Sequence, residues 1–174
     1  MKILIAYASK YGSARSCVER LANALKGLDV TIVDLSAQTV DISSFDIVVA
    51  GSAVYMGRLL PAARKFFKQN KTALAQKSLY LFLCCGISHE YEYYREAVFP
   101  KELRDAAVQS LYFGGRLTTD GLSLKDKLIV RSIRSSIMES EIEDGEYTPS
   151  LPGILPENID RMATYIRRAL AEKQ

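Results

Sequence analysis

The sequence predicts an α/β domain built on one doubly wound, five-stranded parallel sheet with an extra helix after the fifth strand. Three observations lead there. Short continuous apolar runs recur along the chain, as strands covered on both faces require. Segments of helical periodicity separate them, and that alternation calls for right-handed crossovers between parallel strands. The 174 residues, 48% of them apolar, suffice for a single core and a single domain over 1–174.

The first strand, Ile3 to Ala6, runs into a small polar turn and then into a helix whose Val18, Leu21, Ala22 and Leu25 recur on one face. The turn holds Ser9, Lys10, Tyr11, Gly12, Ser13 and Ala14. A helix N-terminus presents unpaired N–H groups and the positive end of its dipole, which suits an anion. Ser9 and Ser13 add hydroxyl donors, and Gly12 lets backbone and ligand approach closely. An ordinary strand-to-helix turn, with Ser13 as cap and Gly12 supplying a positive φ, accounts for the same residues equally well. The glycine patterns of dinucleotide and nucleoside-triphosphate sites are both missing. The turn resembles the phosphate loop of the flavodoxin family, usually Thr/Ser-x-Thr-Gly-x-Thr, which Ser9 and Gly12 match. Tyr11 stands where a Thr is usual, Ala14 where a Thr or Ser is usual, and Lys10 where a Gly is common. The resemblance implies flavin mononucleotide (FMN) as cofactor, its phosphate held mainly by backbone N–H groups. Lys10 then either places a cation near the phosphate or points into water.

Val30–Leu35 and Phe45–Gly51 read as the second and third strands, with one or two turns near Asp41–Ser44 between them. A helix is expected over Gly57–Asn70, with Pro61 in its first turns and Leu60, Ala63, Phe66 and Phe67 toward the sheet. Ser78–Cys85 is the fourth strand, broken by Gly86. Helical segments follow over His89–Val98 and Lys101–Ala107, parted at Phe99-Pro100. Ser110–Phe113 is the fifth strand, closed by Gly114 and Gly115. A phosphate turn after the first strand suits the order 2-1-3-4-5, with the ligand at the carboxyl edge beside strands one and three. Two more loops leave that edge: Ser52, Ala53, Val54, Tyr55, Met56 and Gly57, and then the stretch from Cys85, Gly86 and Ile87 to Tyr91. The family resemblance implies that both flank the flavin ring, Tyr55 from the first and Tyr91, Tyr93 or Tyr94 from the second. Each tyrosine taken alone fits equally well as a cover for a helix end. His89 is the only histidine, so a metal site or a His-based catalytic pair is not expected, and no side chain is read as a catalytic acid or base. Three cysteines, two of them adjacent, form neither a disulfide framework nor a Cys-x-x-Cys motif and read as reduced thiols at the core.

The last third exceeds what the sheet needs. Pro156–Leu170, with Ile159, Met162, Ala163, Ile166 and Leu170 on one face, is the closing helix, yet residues 115–155 precede it. Leu122–Met138 reads as a helix carrying Lys127, Arg131 and Arg134, followed by the acidic Glu139, Glu141, Glu143, Asp144 and Glu146. Its charges fit a solvated face or a docking surface for a membrane or an acidic partner. The phosphate loop, Gly51-Ser52-Ala53-Val54-Tyr55, and Phe113-Gly114-Gly115-Arg116-Leu117 leading into this basic helix resemble the flavodoxin-like protoporphyrinogen oxidases that use menaquinone. That resemblance implies a porphyrinogen-like or quinone-coupled substrate. The net charge of +3 departs from the strong acidity typical of flavodoxins that shuttle electrons to a redox partner protein, the main alternative; a non-redox ligand-binding module of the same fold is another. A nucleic-acid partner is not expected. The chain lacks a run of ~18 apolar residues and opens on a strand instead of a signal peptide, so a cytoplasmic location is expected, with peripheral membrane contact through the basic helix as a variant.

Overall fold

A computed structural model describes residues 1–86, 91–115 and 153–172, together with Leu124, Lys127, Leu128, Arg131, Ser132 and Ser135. The elements are β1 (Lys2–Ala8), α1 (Ser13–Ala24), β2 (Asp29–Asp34), β3 (Ile47–Tyr55), β4 (Arg58–Leu59), α2 (Pro61–Ala75), β5 (Ser78–Cys84), α3 (Tyr91–Val98), α4 (Lys101–Ala106), β6 (Gln109–Tyr112) and α5 (Pro156–Ala171). The parallel strands lie in the order β2-β1-β3-β5-β6, the predicted 2-1-3-4-5 once β4, an antiparallel partner of β3, is set aside.

The continuous apolar strands serve two cores at once, because alternate side chains leave the sheet on opposite faces. Ile3, Ile5 and Tyr7 of β1, Ile47 and Val49 of β3, and Tyr80, Phe82 and Cys84 of β5 pack with Val18 and Leu21 of α1 and with Ile159, Met162 and Ile166 of α5. The intervening Leu4 and Ala6, Val48 and Ala50, and Leu79, Leu81 and Leu83 pack with Ala63, Phe66 and Phe67 of α2 and Leu103 of α4. Gly51 of β3 admits the close approach of Phe82, whose ring stacks on Phe113 at 4.8 Å; a Cβ at Gly51 would meet the Phe82 carbonyl and ring.

Two sequence expectations need correction. Gly57 does not open a helix: the third strand continues to Tyr55, turns through Met56 (φ 50°) and Gly57 (φ 72°), and pairs back as β4, with Tyr55 opposite Arg58. Positive φ at both central residues is the hairpin geometry that matches strand twist. Helix α2 starts only at Pro61, where the missing N–H costs nothing. Accordingly Ser52, Ala53, Val54 and Tyr55 are strand residues and not loop. As expected, the connection near Asp41–Ser44 is a turn and not a full helix, and Ile42 is buried there.

Beyond β6 the chain leaves at Gly115 and returns at Gly153. Gly114 pairs with Ile154, the Gly115 N–H donates to Gly153 O at 3.0 Å, and the Leu155 N–H donates to Phe113 O at 3.0 Å. Helix α5 then packs on α1, secured by Arg20 on Asp160 (2.7 Å) and by Arg167, which donates to the Ala24 carbonyl at 2.9 Å. Among the described residues, these contacts join α5 to β6 and to α1. Most of the predicted Leu122–Met138 helix, including Arg134, and all of the acidic stretch lie outside the described residues; Leu124, Lys127, Leu128, Arg131, Ser132 and Ser135 are helical and exposed.

Candidate functional site

Strand register brings three segments together at the carboxyl edge. Ala8 lies opposite Ser52, and Ala53 opposite Cys84, so the turn after β1, the end of β3 and the end of β5 emerge side by side.

The turn after β1 is shaped by its own atoms. Gly12 takes φ 86°, in the left-handed region, and its N–H donates to Ser9 Oγ at 3.1 Å. This leaves the Ser9 hydroxyl proton to donate elsewhere. Gly12 is the N-cap of α1, with no side-chain cap and no carboxylate in the first turn. The first turn therefore presents N–H groups without a built-in acceptor, and the space where a Gly12 Cβ would stand is open. Ser13 lies half-buried at the start of the helix and does not cap it. Ala14 is fully buried in the core beside Ile3 and Val18, so only its backbone faces the turn.

The hairpin supplies an aromatic wall. Tyr55 is half-buried, and Met56, 67% exposed, stands at the tip. Lys10 reaches from the turn to the hairpin, its Nζ 3.5 Å from the Tyr55 ring centroid and 4.9 Å from that of Tyr11. The Ser52 hydroxyl is not offered to a ligand: fully buried, it donates to Ala53 O at 2.8 Å and accepts the Leu60 N–H at 3.3 Å, tying β3 to the start of α2. Val54 and Ala53 are half-buried against the two cores.

The third segment is held by residues the sequence reading had assigned only to the strand. Tyr112 Oη donates to Cys85 O at 2.7 Å, and its ring stacks with Tyr91 at 5.5 Å. From the other side Gly115 lies so near the Cys85–Gly86 peptide that a Cβ would meet the Cys85 carbonyl and the Gly86 nitrogen. This peptide is clamped. The Gly-Gly pair after the strand was the available signal, though it read as a strand terminator. Burial pushes the Tyr91 phenol up to about 12 and raises that of Tyr112 as well, so Tyr112 remains a neutral donor to Cys85 O. Of the three candidate tyrosines, Tyr91 is occupied by its stack on Tyr112, Tyr94 approaches the hairpin at Gly57, and Tyr93 is 69% exposed with its ring edge-on to Tyr94. Ile87 and His89 lie outside the described residues.

The three cysteines are buried, and none forms a disulfide. The Cys84 thiol donates to Cys17 Sγ at 3.8 Å, and Cys17 to Phe113 O at 3.8 Å. Its bond to Cys17, together with burial, holds Cys84 well above the ordinary thiol range, so it is a packing group and not a nucleophile. Among the described residues no cluster of His, Cys, Asp and Glu is arranged to hold a metal ion.

A parallel doubly wound sheet, with an uncapped helix N-terminus, an aromatic hairpin and a clamped peptide at its carboxyl edge, defines the class as a doubly wound α/β protein. Residues 4–142 match the family described as flavodoxin domain, and the chain belongs to that family. Among solved structures it is similar to rubredoxin oxygen:oxidoreductase from Desulfovibrio gigas, with 17% identity, a TM-score of 0.53, and coverage of 83% of this chain and 37% of that one. It is similar to flavodoxin 1 from Bacillus cereus at 12% identity and TM-score 0.53, covering 80% and 98% of the two chains. A Fusobacterium nucleatum flavodoxin bound to FMN shares 12% identity at TM-score 0.50, covering 97% and 99%. At these identities the likeness is one of fold, and the chain spans little more than a third of the D. gigas protein. No curated protein matches it.

Proposed function

We propose that this chain binds FMN and acts as a redox protein. The carrying observation is the uncapped first turn of α1 behind Gly12, which opens toward the same edge as the Tyr55 hairpin and the clamped Cys85–Gly86 peptide. A phosphate fits that turn, because its N–H groups carry no competing carboxylate and Ser9 retains a hydroxyl proton to donate. A planar ring fits beside Tyr55, and polar ring-edge atoms find backbone groups near Cys85 and Gly86. Bound FMN would supply the electron and hydride chemistry, while the chain contributes binding, orientation and electrostatics. Ser9, Gly12, Ser13 and Ala14 would hold the phosphate, the last through its backbone alone. Tyr55 shields a ring face, and Tyr112 with Gly115 fixes the peptide at the ring edge.

The finer reading is an oxidoreductase of the protoporphyrinogen oxidase type that passes electrons to a quinone. Two features support it over a shuttle that serves a protein partner: the +3 net charge, and the exposed Met56 and Tyr93, which would offer an apolar approach to a quinone or porphyrinogen-like substrate. Peripheral membrane contact belongs to the same reading, supported by exposed Leu124 and Leu128 next to exposed Lys127 and Arg131. The test is anaerobic: reconstitute with FMN, photoreduce with EDTA as sacrificial electron donor, and mix with a short-chain menaquinone. The proposal expects rapid return of the oxidised flavin spectrum. Reoxidation by flavodoxin partner proteins but not by the quinone would assign the chain to the electron carriers.

A further inference from the structure

From Arg58 to Lys77 the chain carries Arg58, Arg64, Lys65, Lys68, Lys71 and Lys77 and not one carboxylate, although its net charge is only +3. Two of these cations serve the fold: Lys71 pairs with Glu102 of α4 at 2.8 Å, and Lys77 donates to the Ser43 carbonyl at 3.0 Å. Arg58, Arg64, Lys65 and Lys68 are exposed, and among the described residues none of them has an ion pair or a hydrogen bond. Local electrostatics oppose their arrangement. Arg64 and Lys65 lie near the N-terminus of α2, the positive end of the helix dipole, and no acidic residue stands in that first turn. Lys68 follows Arg64 and Lys65 at the spacing that makes side chains neighbours on a helix surface, so like charges adjoin. Ala63, Phe66 and Phe67 bury the other face of α2, and the fold asks of these outer positions only that they be polar.

The same cations border the carboxyl edge. Arg58 pairs with Tyr55 in the hairpin, and α2 begins at that edge and runs back to Ser78, where β5 starts from the other side. Met56 at the hairpin tip is 67% exposed, and beside it α3 holds out Tyr93, 69% exposed, next to the Tyr94 that approaches Gly57. A row of cations without an anion, flanked by exposed thioether and phenol groups, suits the surface of an anionic bilayer: headgroups gather at each cation, and the aromatic and apolar tips enter the interface. An acidic protein would need its carboxylates fixed in register with the row, whereas lipids move to meet it.

We propose that β4 and the first turns of α2 are the surface through which this chain docks reversibly on an anionic bilayer. The inference rests on the membrane contact of the proposed function and assigns it to the rim of the candidate flavin site, apart from Lys127 and Arg131. Docking there brings the Tyr55 edge close to the phase in which a long-tailed quinone dissolves.

The experiment is co-sedimentation at low salt with phosphatidylglycerol vesicles and with phosphatidylcholine vesicles. It compares the native chain, the triple variant Arg64→Gln, Lys65→Gln, Lys68→Gln, and the double variant Lys127→Gln, Arg131→Gln. The native chain should sediment with phosphatidylglycerol and not with phosphatidylcholine. The triple variant should keep the native circular dichroism and bind phosphatidylglycerol roughly a hundred-fold more weakly, the loss expected of three cations. Native-like binding by the triple variant, with loss in the double variant, overturns the α2 surface and leaves the membrane contact standing elsewhere. Equal binding of the native chain to both lipids overturns the electrostatic docking. A native chain that sediments with neither lipid overturns the membrane contact as well, and its retention on polyglutamate would then assign the basic face to an acidic protein.

Discussion

If the edge holds a flavin as proposed, two residues decide it, and each acts through a different physical property. Gly12 matters for its backbone: a side chain there meets no neighbour, but φ 86° is strained for any L residue, by roughly 1–2 kcal/mol. Replacement by Val should therefore abolish FMN uptake by collapsing the turn, whereas Asn, which tolerates the left-handed region, should retain most of it. Equal loss in both variants, measured by fluorescence titration, would mean that bulk and not conformation governs the position. Tyr55 matters for its ring. Tyr55→Ala should weaken FMN by about 0.5–1.5 kcal/mol, the worth of an aromatic stack, and raise the fluorescence of the bound flavin. Unchanged affinity and fluorescence would return Tyr55 to a packing role beside Lys10. The positive φ of Gly12 ahead of α1 was legible in the sequence, since a glycine before a helix is a local signal; that Tyr55 ends a strand and not a loop was not. The internal use of Ser52 was not, because its partner at Leu60 depends on a hairpin that residue types alone did not reveal.

At the scale of elements, the clamp on the Cys85–Gly86 peptide is the feature that the chain's own order hides. Tyr112 and Gly115 are adjacent to Cys85 only because β5 and β6 pair in parallel, with Leu83 opposite Tyr112. Tyr112→Phe removes one hydrogen bond and should leave the fold intact while shifting the absorption bands of bound FMN. Gly115→Ala forces the peptide to move and should cost more FMN affinity than Tyr112→Phe does. If absorption spectra and FMN affinities of both variants match the native chain, the peptide does not border the ring. The strands and the main helices were readable because burial on both sheet faces leaves continuous apolar runs, and helices bury a periodic stripe. The β3–β4 hairpin escaped because Met56, an unusual residue at positive φ, gives no turn signal.

For the molecule as a whole, α5 packs on α1 and is tied to β6 through Gly114 and Ile154, and the described residues Leu124, Lys127, Leu128 and Arg131 are exposed. On the proposed reading, these exposed leucines and cations give reversible association with an anionic bilayer, at about 1 kcal/mol per cation. Replacing Lys127, Arg131 and Arg134 with Gln should reduce co-sedimentation with anionic vesicles at low salt; identical sedimentation of the native and altered chains would remove the membrane contact. The segment carrying these residues was visible in the sequence as surplus length and charge, whereas its partner was not, since the same residues suit water, lipid or protein. The proposed function depends on flavin binding at the carboxyl edge, and equilibrium titration of the flavin-free chain with FMN tests it most directly. The account predicts saturable quenching of flavin fluorescence at one FMN per chain, lost in Gly12→Val. Flavin fluorescence that stays unquenched at saturating FMN, with a folded native chain, would contradict it.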